Sequence, residues 1–241
     1  MKQCLVLLLK LIVAVSSAHA SDRKTRLLEL LHDETSPHVM VVAHRGDQFG
    51  APENSLAGFE NCARWGVDIL EIDLRRTADG HWIVMHDRTL DRTTTGAGPV
   101  EAFTLDEIRN LRLRDREGRP TDHPVPTLAE TLELARGRML VYLDKADDAI
   151  DAVHAEVARL DAQEFVLFYG RRTLAELRTR YGKLLDRIIY LPKVSDGMQG
   201  LPTYVDELAS LRPAAFIIDF RDEHSPVLAE IRKIRDAGAR A

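Results

Sequence analysis

The chain has 241 residues, 45% hydrophobic and 29% charged, which excludes a mostly disordered or collagen-like polypeptide and suits two small domains or one α/β barrel. Thirty-three basic against 38 acidic residues leave a net charge of −5 with no long basic run, which argues against a nucleic-acid partner. The only cysteines are Cys4 and Cys62, too few for a disulfide scaffold or a thiolate zinc site.

The first twenty residues have the layout of a secretory signal peptide. Lys2 is followed by an apolar run from Leu5 to Val15, and Ala18-His19-Ala20 is a small-x-small cleavage signal. The run is too short to span about 30 Å of hydrocarbon, and Lys10 would sit inside it. The expectation is cleavage after Ala20, one domain over residues 21–241, export to the periplasm or beyond, and no stable membrane insertion. Cys62 then stands alone inside a helical pattern, as a buried small apolar residue.

Apolar β-rich runs alternate with amphipathic helical patterns down the rest of the chain. Strands are predicted over Val39–Ala43, Ile69–Leu74, Trp82–Met85, Met139–Leu143, Phe165–Tyr169, Arg187–Leu191 and Ala215–Phe220. Helices are predicted over Asn54–Trp65 with Asn54 as N-cap, Thr104–Leu111, Thr127–Ala135, Asp148–Leu160, Thr173–Tyr181, Tyr204–Leu211 and Ser225–Ala237. Thr104 with Glu107, and Thr127 with Glu130, form capping boxes. Gly66, Gly137, Gly182 and Gly238 fall just past helix ends, where a left-handed residue is wanted. This alternation predicts an α/β fold, a TIM (β/α)8-type barrel with a parallel sheet. Seven strands are readable and the last βα unit is missing. Truncation is the expectation, because an open barrel leaves two strand edges unpaired.

Four clusters fall at the predicted C-terminal strand ends, where such barrels build their sites: Ala43-His44-Arg45-Gly46, Glu71-Ile72-Asp73, Met85-His86-Asp87 and Leu143-Asp144-Lys145. A lone histidine or carboxylate pair at a strand end is an ordinary structural feature; the combination is not. Glu71 and Asp73 share a strand face, repel each other and are poorly solvated. A divalent cation removes that penalty, and hard oxygen ligands, with Asp144 as a third, suit Mg²⁺ or Ca²⁺ better than zinc. Two histidines and the planar fork of Arg45 beside such a cation could bind and cleave a phosphate ester.

His44-Arg45-Gly46, Pro52-Glu53-Asn54-Ser55, Glu71-Ile72-Asp73, Thr77-Ala78-Asp79-Gly80 and His86-Asp87-Arg88-Thr89-Leu90-Asp91-Arg92-Thr93-Thr94-Thr95-Gly96, in that order, strongly resemble the glycerophosphodiester phosphodiesterase family. The dense match runs from about Val41 to Ala146. The resemblance implies a TIM barrel with one divalent cation and a small-molecule glycerophosphodiester substrate. It makes His44 and His86 the acid–base pair, Glu71, Asp73 and Asp144 the metal ligands, and Arg45 a phosphate contact, with Glu53 near the site. The family's fourth strand usually reads Glu-x-Lys; here it is Asp144-Lys145-Ala146, so strand alternation turns Lys145 to the opposite face unless a bulge turns it back. Lys145 and Lys193 are therefore secondary candidates for phosphate binding. The expected reaction is metal-dependent hydrolysis to sn-glycerol 3-phosphate and an alcohol. The alternatives are a lipid phosphodiesterase of the sphingomyelinase-D-like type, which needs an apolar entrance, and a non-catalytic phosphodiester-binding protein. Nothing in the sequence sets an oligomeric state.

Overall fold

A computed structural model describes residues 23–236 and 238–239. The expected signal segment and its expected cleavage site lie outside these residues. Among the described residues no helix is long and apolar enough to cross a membrane.

All seven predicted strands form: β1 (Val42–His44), β2 (Ile69–Arg76), β3 (Trp82–Val84), β4 (Leu140–Asp144), β5 (Val166–Gly170), β6 (Ile189–Ser195) and β7 (Ile217–Asp219). Six of them run parallel in the order β1-β2-β4-β5-β6-β7. β3 is not a barrel strand. It pairs antiparallel with the last three residues of β2, Leu74 opposite Val84 and Arg76 opposite Trp82. The connection explains this: residues 77–81 are far too few for a parallel crossover, which takes a dozen or more, and the Asp79-Gly80 turn, with Gly80 at φ 89°, closes a hairpin instead. The sheet is thus an open barrel of six parallel strands. β1 and β7 are its edges among the described residues, and Val41 and Val42 on β1 and its approach are 54% and 50% exposed.

The helices are α1 (residues 23–32), α2 (Leu56–Trp65), α3 (Leu105–Arg109), α4 (Leu128–Ala135), α5 (Ile150–Arg159), α6 (Leu174–Tyr181), α7 (Leu201–Ala209) and α8 (Ile231–Asp236). Both expected capping boxes are present, and a third joins Thr173 to Glu176. On α2 the N-cap is Ser55 and not Asn54; the Ser55 hydroxyl accepts from the Gly58 amide at 3.1 Å. The final helical pattern splits into a 3₁₀ turn, Pro226–Glu230, ahead of α8. α1 falls outside the predicted helices. It packs Leu27 and Leu31 into the core, and Arg23 donates to the carbonyls of Gly66, Val67 and Arg138 at the end of the sheet opposite the candidate site.

The main core fills the space between sheet and helices. A smaller one, built from Ile83, Met85, Leu90, Val100, Ile108, Leu113 and Val125, stiffens the segment between β2 and α4. That segment carries His86.

Candidate functional site

Strand register assembles the acids. His44 on β1 pairs with Glu71 on β2, and Asp73, two residues on, pairs with Asp144 on β4. Residues i and i+2 share a face, so Glu71, Asp73 and Asp144 converge, each offering a carboxylate oxygen within 4.8 Å of the others. Glu71 and Asp73 are buried. Burial first, and the Asp73 charge next, push the Glu71 carboxyl up to about 8. Asp144 goes the other way: burial raises it, but the Tyr169 hydroxyl, at 2.6 Å, and Lys145 hold it below the usual carboxylate range. Asp73 Oδ1 is buried without an aligned hydrogen bond. Three crowded hard-oxygen donors, two of them buried and mutually repelling, fit a Mg²⁺ or Ca²⁺ ion.

Two cations reach these acids through left-handed backbone. Arg45, at φ 60°, directs its backbone N–H to both the carbonyl and the carboxylate of Glu71, at 3.1 and 2.9 Å, and brings its Nε to 3.2 Å from Asp73 Oδ2. Lys145, at φ 62°, does not point to the opposite face. β4 ends at Asp144, so strand alternation no longer applies, and the turn swings the ammonium back to 2.8 Å from Asp73 Oδ1 and 3.3 Å from Asp144 Oδ2. Each non-glycine residue held this way costs roughly 1–2 kcal/mol, a strain that gathers at sites the surroundings over-determine. Ala146 is buried in the core.

His44 ends β1 beside the acids. Burial, then the Arg45 charge, lower its pKa; His86 adds to that, while Asp73 and Asp144 oppose it. His86 arrives by another route than the end of a barrel strand. It follows the β2–β3 hairpin, and the Met85 amide donates to the Asp73 carbonyl at 2.9 Å, which brings the next residue to the C-terminal end of β2, close enough to His44 for their charges to interact. Arg75 donates to the carbonyls of His86 and Asp87, and His86 Nδ1 lies 2.6 Å from Asp87 Oδ1. Glu53 is half-buried against Arg45 and Arg92; burial raises its carboxyl, and the two guanidinium groups hold it below the usual range. Lys193 stands farther out, ion-paired to Asp219 at 2.8 Å and 5.5 Å over the Tyr169 ring.

Some residues at the site were not singled out from the sequence. Asn54, at φ 53°, donates from Nδ2 to Asp73 Oδ2 at 3.0 Å; asparagine's tolerance of left-handed backbone was the available signal. Tyr169 and Arg75 reach the site only through strand pairing and the hairpin, which no local pattern announces.

The fold and this arrangement define an α/β barrel-type protein with an acidic, histidine-flanked site at the C-terminal strand ends. Residues 44–179, more than half of the chain, match the glycerophosphoryl diester phosphodiesterase family, and the chain belongs to it. A glycerophosphodiester phosphodiesterase of Caldanaerobacter subterraneus subsp. tengcongensis is 45% identical over 96 residues, covering 39% of this chain and 40% of that protein. A glycerophosphoryl diester phosphodiesterase from Parabacteroides distasonis is similar at TM-score 0.72 and 26% identity, over 90% of this chain and 75% of that one. An Oleispira antarctica phosphodiesterase solved with its product sn-glycerol-3-phosphate gives TM-score 0.64 over 83% of this chain and 82% of that one; at 24% identity the likeness is one of fold. The chain spans about half the length of the curated relatives it matches.

Proposed function

We propose that the protein is a metal-dependent glycerophosphodiester phosphodiesterase, releasing sn-glycerol 3-phosphate and an alcohol by acid–base catalysis from His44 and His86. The observation that carries this reading is the convergence of Glu71, Asp73 and Asp144 beside His44, Arg45 and Lys145. Family membership supports it. Glu71, Asp73 and Asp144 would hold one Mg²⁺ or Ca²⁺ ion, which when bound would neutralise charge on the phosphate oxygens. Arg45 contributes a planar fork to the same oxygens. His44, kept neutral by burial and Arg45, takes the proton of a neighbouring glycerol hydroxyl as its oxygen bonds to phosphorus. His86, oriented by Asp87, gives a proton to the departing alcohol as the other P–O bond breaks. Intramolecular attack starts from a high effective concentration. Water then opens the cyclic phosphate with the histidines in exchanged roles. The test is release of glycerol phosphate from a panel of diesters with Mg²⁺ or Ca²⁺ and then EDTA. Turnover that survives EDTA and both His→Ala changes would reject the mechanism.

A cleft of about 720 Å³ supports a second reading. It runs from His44, Glu53 and Arg92 past Phe49, which is 86% exposed, and on along the open edge of the sheet to Trp65 and Val67 at its far end, with Arg114 and Arg116 also in the lining. Such an apolar approach suits a lipid phosphodiesterase, and lysophospholipid turnover exceeding that of glycerophosphodiesters would select it. Residues 1–20 support export. Periplasmic protein beginning at Ser21 is the expected finding, and cytoplasmic protein retaining Met1 would reject it.

A further inference from the structure

Arg92 is half exposed, yet its guanidinium spends four N–H bonds on two carboxylates. Nε donates to Asp87 Oδ2 at 2.6 Å and Nη2 to Asp87 Oδ1 at 3.1 Å. Nη1 donates to Glu53 Oε2 and Nη2 to Glu53 Oε1, both at 2.8 Å. Each carboxylate is shared onward. Asp87 Oδ1 lies 2.6 Å from His86 Nδ1, and Glu53 Oε1 accepts from Arg45 Nη1 at 3.3 Å. The loop presenting Arg92 is anchored. Leu90 is buried in the smaller core, its amide donates to the Gly98 carbonyl at 2.9 Å, and the buried Thr94 hydroxyl donates to the Leu90 carbonyl at 2.7 Å.

We propose that Arg92 is a positioning residue that clamps Asp87 against Glu53, and so ties the orientation of the His86 imidazole to the placement of Arg45. The proposal rests on the roles given above to His86 and Arg45. Two neighbouring carboxylates repel, and only a cation between them keeps both in place. A planar fork can grip both in two-point fashion; a lysine, as a point charge, cannot. Asp87 in turn orients the His86 ring by accepting from Nδ1–H, which holds Nε2 for proton transfer, protonated when His86 acts as acid and bare when it acts as base. Half-exposed ion pairs add little to stability, so losing Arg92 costs geometry and not fold.

The experiment compares wild type, Arg92→Ala, Arg92→Lys, Asp87→Asn and the Arg92→Ala/Asp87→Asn double variant. Arg92→Ala is expected to lower kcat by about 10- to 100-fold, with KM changed far less and the unfolding midpoint nearly unmoved. Arg92→Lys recovers at most part of the loss, and the double variant is no slower than Asp87→Asn alone. Unchanged kcat in Arg92→Ala, or a double variant whose loss is the product of the two singles, overturns the proposal. The imidazole ¹⁵N resonances of His86 read the clamp without turnover. Read at a pH where the ring is neutral, they report the Nδ1–H tautomer in wild type and move toward a tautomer mixture in Arg92→Ala; if they do not move, the clamp is wrong whatever the kinetics. If they move while wild type cleaves no diester, the functional reading fails and the clamp stands.

Discussion

The ammonium of Lys145 stands 2.8 Å from Asp73 Oδ1 because the backbone turns left-handed one residue after β4 ends. A second positive charge, beside that of Arg45, thereby enters a cluster of three acids. It relieves their repulsion and competes with any cation that would do the same. Replacing Lys145 with Met is therefore expected to tighten Mg²⁺ binding by about tenfold or more, from the Coulomb term of a neighbouring charge. Turnover should fall by about 10²-fold if the ammonium also serves the phosphate. Calorimetric titration beside a diesterase assay measures both, and weaker metal binding in the variant would contradict the first expectation.

His44 ends the β1 ladder and His86 follows the β2–β3 hairpin, and the Glu71 and Asp73 carbonyls that accept from Arg45 and Met85 lie on one edge of β2. Alanine at either position is expected to lower kcat by about 10²- to 10⁴-fold, the usual worth of positioned acid–base catalysis. The double variant should be little worse than the slower single, since one proton relay needs both. Phosphate-ester release under saturating substrate provides the measurement.

Glu71 sets a pH dependence. Its folded carboxyl, pushed from 4.5 up to about 8, holds its proton more tightly than the unfolded chain does. Metal-free protein should lose stability as pH rises from about 4.5 to about 8, because the unfolded state gives up the proton first. Saturating Mg²⁺ or Ca²⁺ favours the ionised form and should flatten that decline. Unfolding midpoints across this range, with and without EDTA, test the sign; a metal-free midpoint that climbs would refute it.

The Tyr169 hydroxyl donates to Asp144 Oδ1 at 2.6 Å and helps keep that carboxyl ionised. Tyr169→Phe removes the donor while keeping the ring that packs edge-on against Tyr142. The expected result is a loss of about 10-fold or more in metal affinity with little change in melting temperature. Equal affinity in the two proteins would show that Tyr169 only packs.

The sequence by itself located the seven strands, most of the helices, and the acids and histidines that define the site. Apolar runs bounded by turns located seven strands, the Thr–Glu spacings located helix starts, and period-two alternation put Glu71 and Asp73 on one face. Those signals are local and survive without knowledge of the fold. The five residues between β2 and β3 already forbid a crossover; tertiary structure decided which edge of β2 the returning strand takes. It decided that Lys145 turns inward, because the alternation rule ends where the ladder of β4 ends. It also decided that Asn54 serves Asp73 while Ser55 caps α2, and that Arg92 grips Asp87 and Glu53. Such pairings depend on register across strands and on loops packed over a second small core, and neither is written in any short stretch of chain.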